Sequence, residues 1–136
     1  MTAMNILVID AHGGGVGKQI VTALRTACPE ADIMAVGTNS TAASVMLKAG
    51  ATHAATGENA VIVGCRKADV IVGPLGIVIA DSLYGEITPA MALAVAQSPA
   101  RRILIPFNQC DNIVVGVGDY TTSHLIQEAV SLIVKE

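Results

Sequence analysis

The sequence predicts an α/β fold in which a mostly parallel sheet of about five to six strands lies between two layers of helices. Short runs rich in valine and isoleucine alternate along the chain with longer, alanine-rich amphipathic stretches, which is the pattern of repeated strand–helix–strand units. A glycine cluster directly follows the first apolar run, and glycine permits a sharp turn from strand to helix. With 136 residues the chain has room for one domain, which we place over residues 1–136.

The first half of the chain contains three predicted strands and three predicted helices. The strands are Met4 to Ile9, Ile33 to Gly37 and His53 to Ala55, and the helices are Val16 to Cys28, Thr41 to Ala49 and Asn59 to Lys67. The first helix is amphipathic, because Ile20, Val21 and Leu24 share one face. Gly50 directly follows the second helix and is expected to end it as its C-cap.

The second half of the chain contains three more predicted strands and two more helices. The strands are Val70 to Val72, Arg102 to Phe107 and, at the edge of the sheet, Ile113 to Val117, and the helices are Thr88 to about Gln97 and Ser123 to Lys135. Thr88 followed by Pro89 is a strong helix start, since a hydroxyl caps the free amides and proline suits the first helical position. The stretch Leu75 to Ile87 is unassigned and too apolar for a free loop, which makes it the first candidate for an oligomer contact.

Cysteine usage and the start of the chain indicate an intracellular protein. Cys28, Cys65 and Cys110 are odd in number and contain no Cys-x-x-Cys pair, which is neither a disulfide framework nor a zinc pattern. The first residues lack the basic region of a signal peptide, and no uncharged stretch reaches the ~20 apolar residues of a membrane span. We therefore expect a cytoplasmic protein with no membrane partner.

Charge and aromatic content indicate whether this protein binds nucleic acid. The net charge is −3, and the chain has no tryptophan, one phenylalanine and two tyrosines, whereas nucleic-acid binders use cationic faces and aromatic platforms. We therefore expect no nucleic-acid partner.

The chain is 52% apolar and only 14% charged, against a typical charged share of about 25%. This balance predicts a homo-oligomer that buries apolar surface between subunits, unless the excess is alanine-rich surface.

The strongest functional motif is the turn Asp10-Ala11-His12-Gly13-Gly14-Gly15-Val16-Gly17-Lys18. Consecutive glycines let the backbone turn sharply and approach a ligand, while the helix that follows offers free amides and a positive dipole end. Phosphate is the anion that matches this arrangement best. The alternative is a tight strand-to-helix crossing that binds nothing. Glycines are entropically costly, and this cost favours the ligand-binding interpretation.

The turn resembles the glycine loop of short-chain dehydrogenases, in which Gly15-Val16-Gly17 would match the Gly-Ile-Gly end of the motif. The first glycine of that motif falls on Ala11, and the catalytic Tyr-x-x-x-Lys pair is missing. The dinucleotide pattern Gly-x-Gly-x-x-Gly places Lys18 at its third glycine. After the second strand, where an acid would bind ribose hydroxyls, the chain has Gly37-Thr38-Asn39-Ser40. NAD(P) therefore stays open as a cofactor, beside a nucleoside phosphate.

The same turn resembles the Lys-Gly-Gly-Val-Gly-Lys-Thr loop of ATPases related to nitrogenase iron protein and to cell-division positioning proteins. Gly14-Gly15-Val16-Gly17-Lys18 matches that loop well. The Mg²⁺-binding hydroxyl falls on Gln19, however, so the metal would lose a ligand that phosphoryl transfer normally requires. This difference argues against ATP hydrolysis.

Over nearly its whole length the chain resembles a small bacterial family known as domain of unknown function 3842. The segments that carry the resemblance are Val8-Ile9-Asp10 with Gly13-Gly14-Gly15-Val16-Gly17-Lys18, Gly37-Thr38-Asn39, Ala55-Thr56-Gly57-Glu58-Asn59-Ala60, Asp69-Val70-Ile71-Val72-Gly73-Pro74, Gly85-Glu86-Ile87-Thr88-Pro89 and Ile105-Pro106. The resemblance implies a Rossmann-like fold and brings no activity with it.

The candidate ligand-binding residues lie in loops at the carboxyl ends of the predicted strands, where open α/β sheets bind ligands. They are Asp10, His12, Gly13, Gly14, Gly15, Val16, Gly17, Lys18, Thr38, Asn39, Glu58, Asn59, Gly73, Pro74 and Asn108. Several have a structural interpretation as well: Asp10 would cap the glycine turn, Asn39 would cap the second helix and His12 would stand in solvent. No catalytic set is identified. His12, His53 and Cys110 lack metal-ligand spacing, so we expect no metal site.

These observations predict a small Rossmann-like domain that binds a nucleotide or another phosphorylated small molecule at the glycine turn. Two alternatives stay open. One is an oligomeric scaffold or ligand sensor without turnover, and the other is an NAD(P)-dependent enzyme of unknown substrate.

Overall fold

The sheet has five strands, all parallel, in a computed structural model that describes residues 4–107 and 112–135. The strands are β1 (Asn5–Asp10), β2 (Asp32–Gly37), β3 (His53–Thr56), β4 (Val70–Pro74) and β5 (Arg101–Ile105). Their order across the sheet is β3-β2-β1-β4-β5. The chain therefore builds outward from β1 to β3, crosses back to β4, and continues outward to β5. The predicted α/β class and parallel sheet are confirmed.

In the described part of the chain, five helices cover the two faces of this sheet. They are α1 (Gly15–Ala27), α2 (Ser40–Lys48), α3 (Glu58–Lys67), α4 (Pro89–Gln97) and α5 (Thr122–Val134). Buried residues of α1, α2 and α5 form one hydrophobic core with the sheet, and those of α3 and α4 form a second core. The predicted three-layer arrangement is confirmed by these two cores on opposite faces.

Strand β1 shows how the sequence specifies both cores at once. Ile6 and Val8 face the core of α1, whereas Leu7 and Ile9 face the core of α3, because successive side chains of a strand point to opposite faces. All four are at most 1% exposed. A strand that is apolar on both sides is typical of the centre of a parallel sheet, and β1 lies there between β2 and β4.

The helix ends follow their predicted capping residues. Thr88 accepts a hydrogen bond from the amide of Met91 at 3.1 Å, and Pro89 stands in the first turn of α4, as predicted. Gly50 follows α2 with a positive φ of 123° and donates its amide to Leu47 at 3.1 Å. Its predicted role in ending this helix is confirmed.

The predicted edge strand Ile113 to Val117 is wrong. Residues 112–117 form no strand, and the amide of Val117 instead approaches the carbonyl of Val114 at 3.4 Å in a turn. Gly116 adopts a positive φ of 91°, which interrupts an extended backbone. Ile113 and Val115 are 92% and 94% exposed, so the β-branched residues that predicted an edge strand are not packed against the sheet.

The unassigned stretch after β4 folds back onto its own chain. A 3₁₀ turn over Leu75–Val78 is followed by a series of turns, which we call the strap (residues 79–87). Ile77, Leu83 and Ile87 are buried in the core of α3 and α4, which accounts for much of the apolar character of this stretch. Its predicted contact with another subunit stays a prediction.

No helix in residues 4–107 and 112–135 is long and apolar enough to cross a membrane. The longest helices, α1 and α5, have 13 residues each, well short of the ~20 that a span needs.

Candidate functional site

The candidate site lies where the strand order reverses. Strands β1 and β4 are neighbours, but the chain leaves them in opposite directions across the sheet. In open α/β sheets the loops at such a switch point separate and leave a crevice at the carboxyl ends of the strands. The glycine turn follows β1 and the strap follows β4, so both border this position.

The glycine turn is a tight connection between β1 and α1. The amide of Gly14 donates to the carbonyl of Ala11 at 3.0 Å, and Gly14 adopts a left-handed conformation with φ 78° just before the helix begins. A Cβ at this position would lie 2.9 Å from the Cα of Ala42 in α2. Glycine is therefore required at residue 14 both for the turn and for the close approach of α2.

Two amides of the turn are occupied by side chains of the protein. Gly17 donates to the Oδ2 of Asp10 at 2.7 Å, and His12 donates to the Oε1 of Glu86 at 3.0 Å. The amides of Gly13, Gly15 and Val16 make no hydrogen bond within the described residues. Three free amides at the start of a 13-residue helix form a region of positive potential, which suits an anion.

Asp10 stabilises the turn through its buried side chain. It ends β1, it is only 5% exposed, and its carboxylate holds the amide of Gly17. Burial raises the pKa of Asp10, although the hydrogen bond from Gly17 acts in the opposite direction. Of the two roles considered for Asp10, the structure shows the capping contact.

Glu86 is the functional candidate that the sequence analysis missed. Its Oε1 atom accepts three hydrogen bonds: from the amide of His12 at 3.0 Å, from the hydroxyl of Thr38 at 2.5 Å and from the Nδ2 of Asn39 at 3.0 Å. Glu86 lies 74 residues beyond His12 in the chain, in the stretch to which no element was assigned. A carboxylate in an apolar stretch was the available signal, and Asp81 in the same stretch shared it.

The environment of Glu86 keeps its carboxylate charged. Partial burial by itself would raise the pKa of Glu86, but the hydrogen bonds from Thr38, His12 and Asn39 outweigh that effect and lower the pKa below its usual value. The Oε2 atom lies 3.6 Å from the Nε2 of His12, and the side chain is 30% exposed. Glu86 therefore presents an anionic oxygen at the surface of the site.

His12 is exposed, and its ring contacts the strap. Its Nε2 lies 3.2 Å from the carbonyl of Leu83, within hydrogen-bond distance when that nitrogen carries the proton, and its ring centre lies 5.5 Å from that of Tyr84. His12, Leu83 and Tyr84 have positive φ angles of 54°, 56° and 57°, as does Asp81 at 65°. These are the non-glycine left-handed residues of the described chain, and all lie in the turn or the strap. Such conformations persist only where the surrounding contacts hold them.

Asn39 joins the loops after β1 and β2. Its Oδ1 accepts from the amide of Ala42 and caps α2, while its Nδ2 donates to the carbonyl of His12 at 2.8 Å. The two interpretations of Asn39 are therefore compatible, since one side chain caps the helix and borders the site. Thr38 also joins these loops, because its amide donates to the carbonyl of Asp10 at 3.1 Å.

The remaining predicted residues are distributed around this centre. Glu58 and Asn59 begin α3, and the Oε1 of Glu58 accepts from the hydroxyl of Thr88 at 2.6 Å. Gly73 and Pro74 are buried at the end of β4. Lys18 is exposed and lines a groove between α1 and α5. Asn108 lies outside the described residues.

An apolar groove elsewhere on the surface does not share this chemistry. It has a volume of about 540 Å³ and lies between α3 and strands β1 to β3. Its lining is largely apolar and includes Leu7, Met34 and Val63. It lacks the glycine amides and the Glu86 cluster, so we place the candidate site at the glycine turn.

Neither metal nor thiol chemistry is indicated in the part of the chain that the structure describes. No group of three or more His, Cys, Asp or Glu side chains there is arranged to hold a metal ion. Cys28 and Cys65 are free, and burial raises the pKa of Cys65 to about 11, so that its thiol stays protonated at neutral pH. Cys110 lies outside the described residues.

The stabilising contribution of Glu86 should be lost in acid. Because the pKa of Glu86 is lowered in the folded protein, its contribution is present above the ordinary carboxyl pKa of about 4.3 and disappears as the pH falls through the lowered folded value. The free energies of unfolding of wild type and Glu86→Gln should therefore differ at neutral pH and converge in acid. Urea unfolding between about pH 7 and pH 3 measures this, and a pH-independent difference would contradict the expectation.

One of three comparisons with known proteins found a match. The family model described as "Domain of unknown function (DUF3842)" matches residues 5–136. No curated protein and no solved structure matches the chain. The match covers every strand and helix described above, so the family is defined over the whole fold and the site.

Proposed function

The chain belongs to the DUF3842 family, and we propose from its site that it binds a nucleotide or another phosphorylated small molecule at the glycine turn. One observation carries the proposal: the amides of Gly13, Gly15 and Val16 have no partner within the described residues, at the start of a helix that faces the switch point of the sheet. Gly13 and Gly15 are exposed, so their free amides are open to an external acceptor, and amides at the start of a helix favour an anion.

A phosphate suits these amides better than a carboxylate for a geometric reason. Gly13 and Gly15 are exposed and carry no side chain, so that a tetrahedral anion with several acceptor oxygens can approach the backbone directly. The two carboxylates nearby do not fill this position. Asp10 is committed to Gly17, and the Oε1 of Glu86 is committed to His12, Thr38 and Asn39.

The sharpest test uses two substitutions at the same residue. A Cβ at Gly15 would meet no atom within 4 Å, so both Gly15→Ala and Gly15→Asp should fold. Aspartate also suits the first turn of a helix. Its carboxylate, however, would place a negative charge beside the free amides and repel the ligand. Gly15→Asp should therefore lose ligand-induced stabilisation, and Gly15→Ala should keep most of it.

A thermal-shift panel of ATP, GTP, NAD(H), NADP(H), phosphate and sugar phosphates measures this effect. A ligand at 100 times its dissociation constant stabilises a protein by about 2.7 kcal/mol, which corresponds to a rise of several degrees in Tm. If no member of the panel raises the Tm of the wild type, or if Gly15→Asp responds like the wild type, the proposed function is wrong. For an NAD(P) compound that binds, a change in absorbance at 340 nm with carbonyl substrates would identify an NAD(P)-dependent enzyme.

A non-catalytic oligomeric scaffold or sensor is the second candidate, and the surface favours it at one place. Ile113 and Val115 are almost fully exposed, as is uncommon for two neighbouring β-branched side chains in a monomer. We also propose that the protein is a cytoplasmic homo-oligomer with neither membrane nor nucleic-acid partners. Light scattering at high protein concentration tests the assembly, and a monomer there would contradict it.

A further inference from the structure

The Glu86 carboxylate lies where β2 ends, although it belongs to a segment that follows β4. Building on the proposed function of the glycine turn, we infer that Glu86 accepts hydrogen bonds from sugar hydroxyls of the ligand. The bound molecule would then be a phosphorylated ribose compound with a free 2′-hydroxyl. Glu86 would thus determine specificity, and a 2′-phosphorylated or 2′-deoxy analogue would be selected against.

The position of the carboxylate is the first argument. In dinucleotide-binding sheets an acidic residue near the end of the second strand binds the ribose hydroxyls, while the phosphates lie at the glycine turn. This chain has Thr38 and Asn39 at that point, and neither is an acid. Both donate to the Oε1 of Glu86, so the fold brings a carboxylate to the end of β2 from another loop.

The orientation of the two carboxylate oxygens is the second argument. Oε1 is fully used by its three donors. Oε2 has one neighbouring polar group within the described residues, the Nε2 of His12 at 3.6 Å, which is too long for a hydrogen bond. The side chain is 30% exposed, so Oε2 is an ionised acceptor within reach of a ligand. This oxygen can accept a hydrogen bond, and a sugar hydroxyl can donate one.

The rigidity of the strap is the third argument. It distinguishes a Glu86 that stays in place and accepts hydrogen bonds from a Glu86 that only blocks the site and leaves when a ligand binds. To leave the site, Glu86 would have to break its hydrogen bonds to three donors. It would also have to move together with strap residues that are held by hydrogen bonds of their own. Ser82 is buried and donates to the carbonyl of Gly76 at 2.5 Å, and Ile87 donates to Ser82 at 3.3 Å. Charged hydrogen bonds of this number are costly to break together. Glu86 therefore remains in place and contacts what binds beside it.

The distance between the two parts of the site suits a ribose phosphate. Glu86 contacts the amide of His12, and the free amides begin at the next residue, Gly13, and extend to Val16. Since consecutive Cα atoms are about 3.8 Å apart, His12 and Gly15 are separated by at most about 11 Å. The two parts of the site are therefore close enough for one small ligand, such as a ribose phosphate, to contact both.

Paired ligands test the inference. ADP is compared with 2′-deoxy-ADP, and NAD with NADP, by isothermal titration or thermal shift on the wild-type chain. Because a hydrogen bond to a charged acceptor is lost, 2′-deoxy-ADP should bind about ten-fold more weakly than ADP. NADP should bind more weakly than NAD, since its 2′-phosphate meets the Glu86 carboxylate. Ribose 5-phosphate shows whether the base is needed, and pyrophosphate measures the amides alone.

The variant Glu86→Gln keeps an oxygen for the three donors but removes the anionic acceptor. It should bind ADP and 2′-deoxy-ADP with similar affinity, and the loss of a nearby negative charge should tighten pyrophosphate binding only modestly. Glu30→Gln is the control, because Glu30 is exposed in the loop that precedes β2, at the opposite edge of the sheet. It makes the same charge change and should keep the ten-fold preference.

The outcomes separate this inference from the proposed function. Equal affinity of the wild type for ADP and 2′-deoxy-ADP, with binding still abolished by Gly15→Asp, would overturn the role of Glu86 and leave the phosphate site intact. A ten-fold preference for ADP that persists in Glu86→Gln would show that another group recognises the 2′-hydroxyl, which also overturns the inference. Failure of every probe to bind would overturn both proposals.

Discussion

Replacing Gly37 by alanine should lower the free energy of unfolding by about 3 kcal/mol or more, the upper range for an overpacked site. A Cβ at this position would lie 2.5 Å from the backbone nitrogen of Ala43 and 2.7 Å from the carbonyl oxygen of Asn39. Both contacts are with backbone atoms at the start of α2, and these cannot rotate away as a side chain can. The helix would have to shift from β2, and it would carry Thr38 and Asn39 with it.

Gly13→Ala is the matched control for this prediction. It makes the same chemical change in another loop of the same rim, but a Cβ there would meet nothing within 4 Å. Its effect on stability should be within about 0.5 kcal/mol, as for a surface substitution. Urea unfolding of the two variants gives the comparison, and similar losses of stability would show that the close packing at Gly37 is not the cause.

Replacing Arg25 by methionine should destabilise the protein by about 2–3 kcal/mol, because the guanidinium connects two loops. Its nitrogens donate to the carbonyls of Gly50, Pro29 and Ala31 at 2.9–3.0 Å, and to the hydroxyl of Thr52 at 3.0 Å, so that four acceptors in two loops depend on it. These acceptors lie in the connections that follow α1 and α2. The substitution keeps the length of the side chain but leaves the carbonyls without their donors.

Two further substitutions make the Arg25 prediction specific. Arg25→Lys should recover only a small part of the loss, since an ammonium group cannot reproduce a planar fork with five donors. Arg66→Met changes an exposed arginine in the last turn of α3 and should cost less than about 0.5 kcal/mol. If Arg25→Lys is as stable as the wild type, positive charge rather than the fork accounts for the role of Arg25.

Much of the fold could be predicted from local patterns, because the pattern and the tertiary environment agree in most elements. The alternation of Ile6, Leu7, Val8 and Ile9 required two apolar faces, and β1 has a core on each side. Thr88 and Pro89 specified a helix start that depends only on neighbouring amides. The pattern failed at Ile113 to Val117, where β-branched residues predicted a strand but the chain turns at Gly116.

The sequence by itself determined the strand–helix alternation, the helix caps and the glycine turn, because each depends on residues that are close together in the chain. Only the tertiary structure placed the carboxylate of Glu86 on Thr38, Asn39 and the amide of His12. It also decided which turn amides are satisfied internally and which are free. These contacts join loops that follow three different strands, and their proximity follows from the strand order of the sheet rather than from any local pattern.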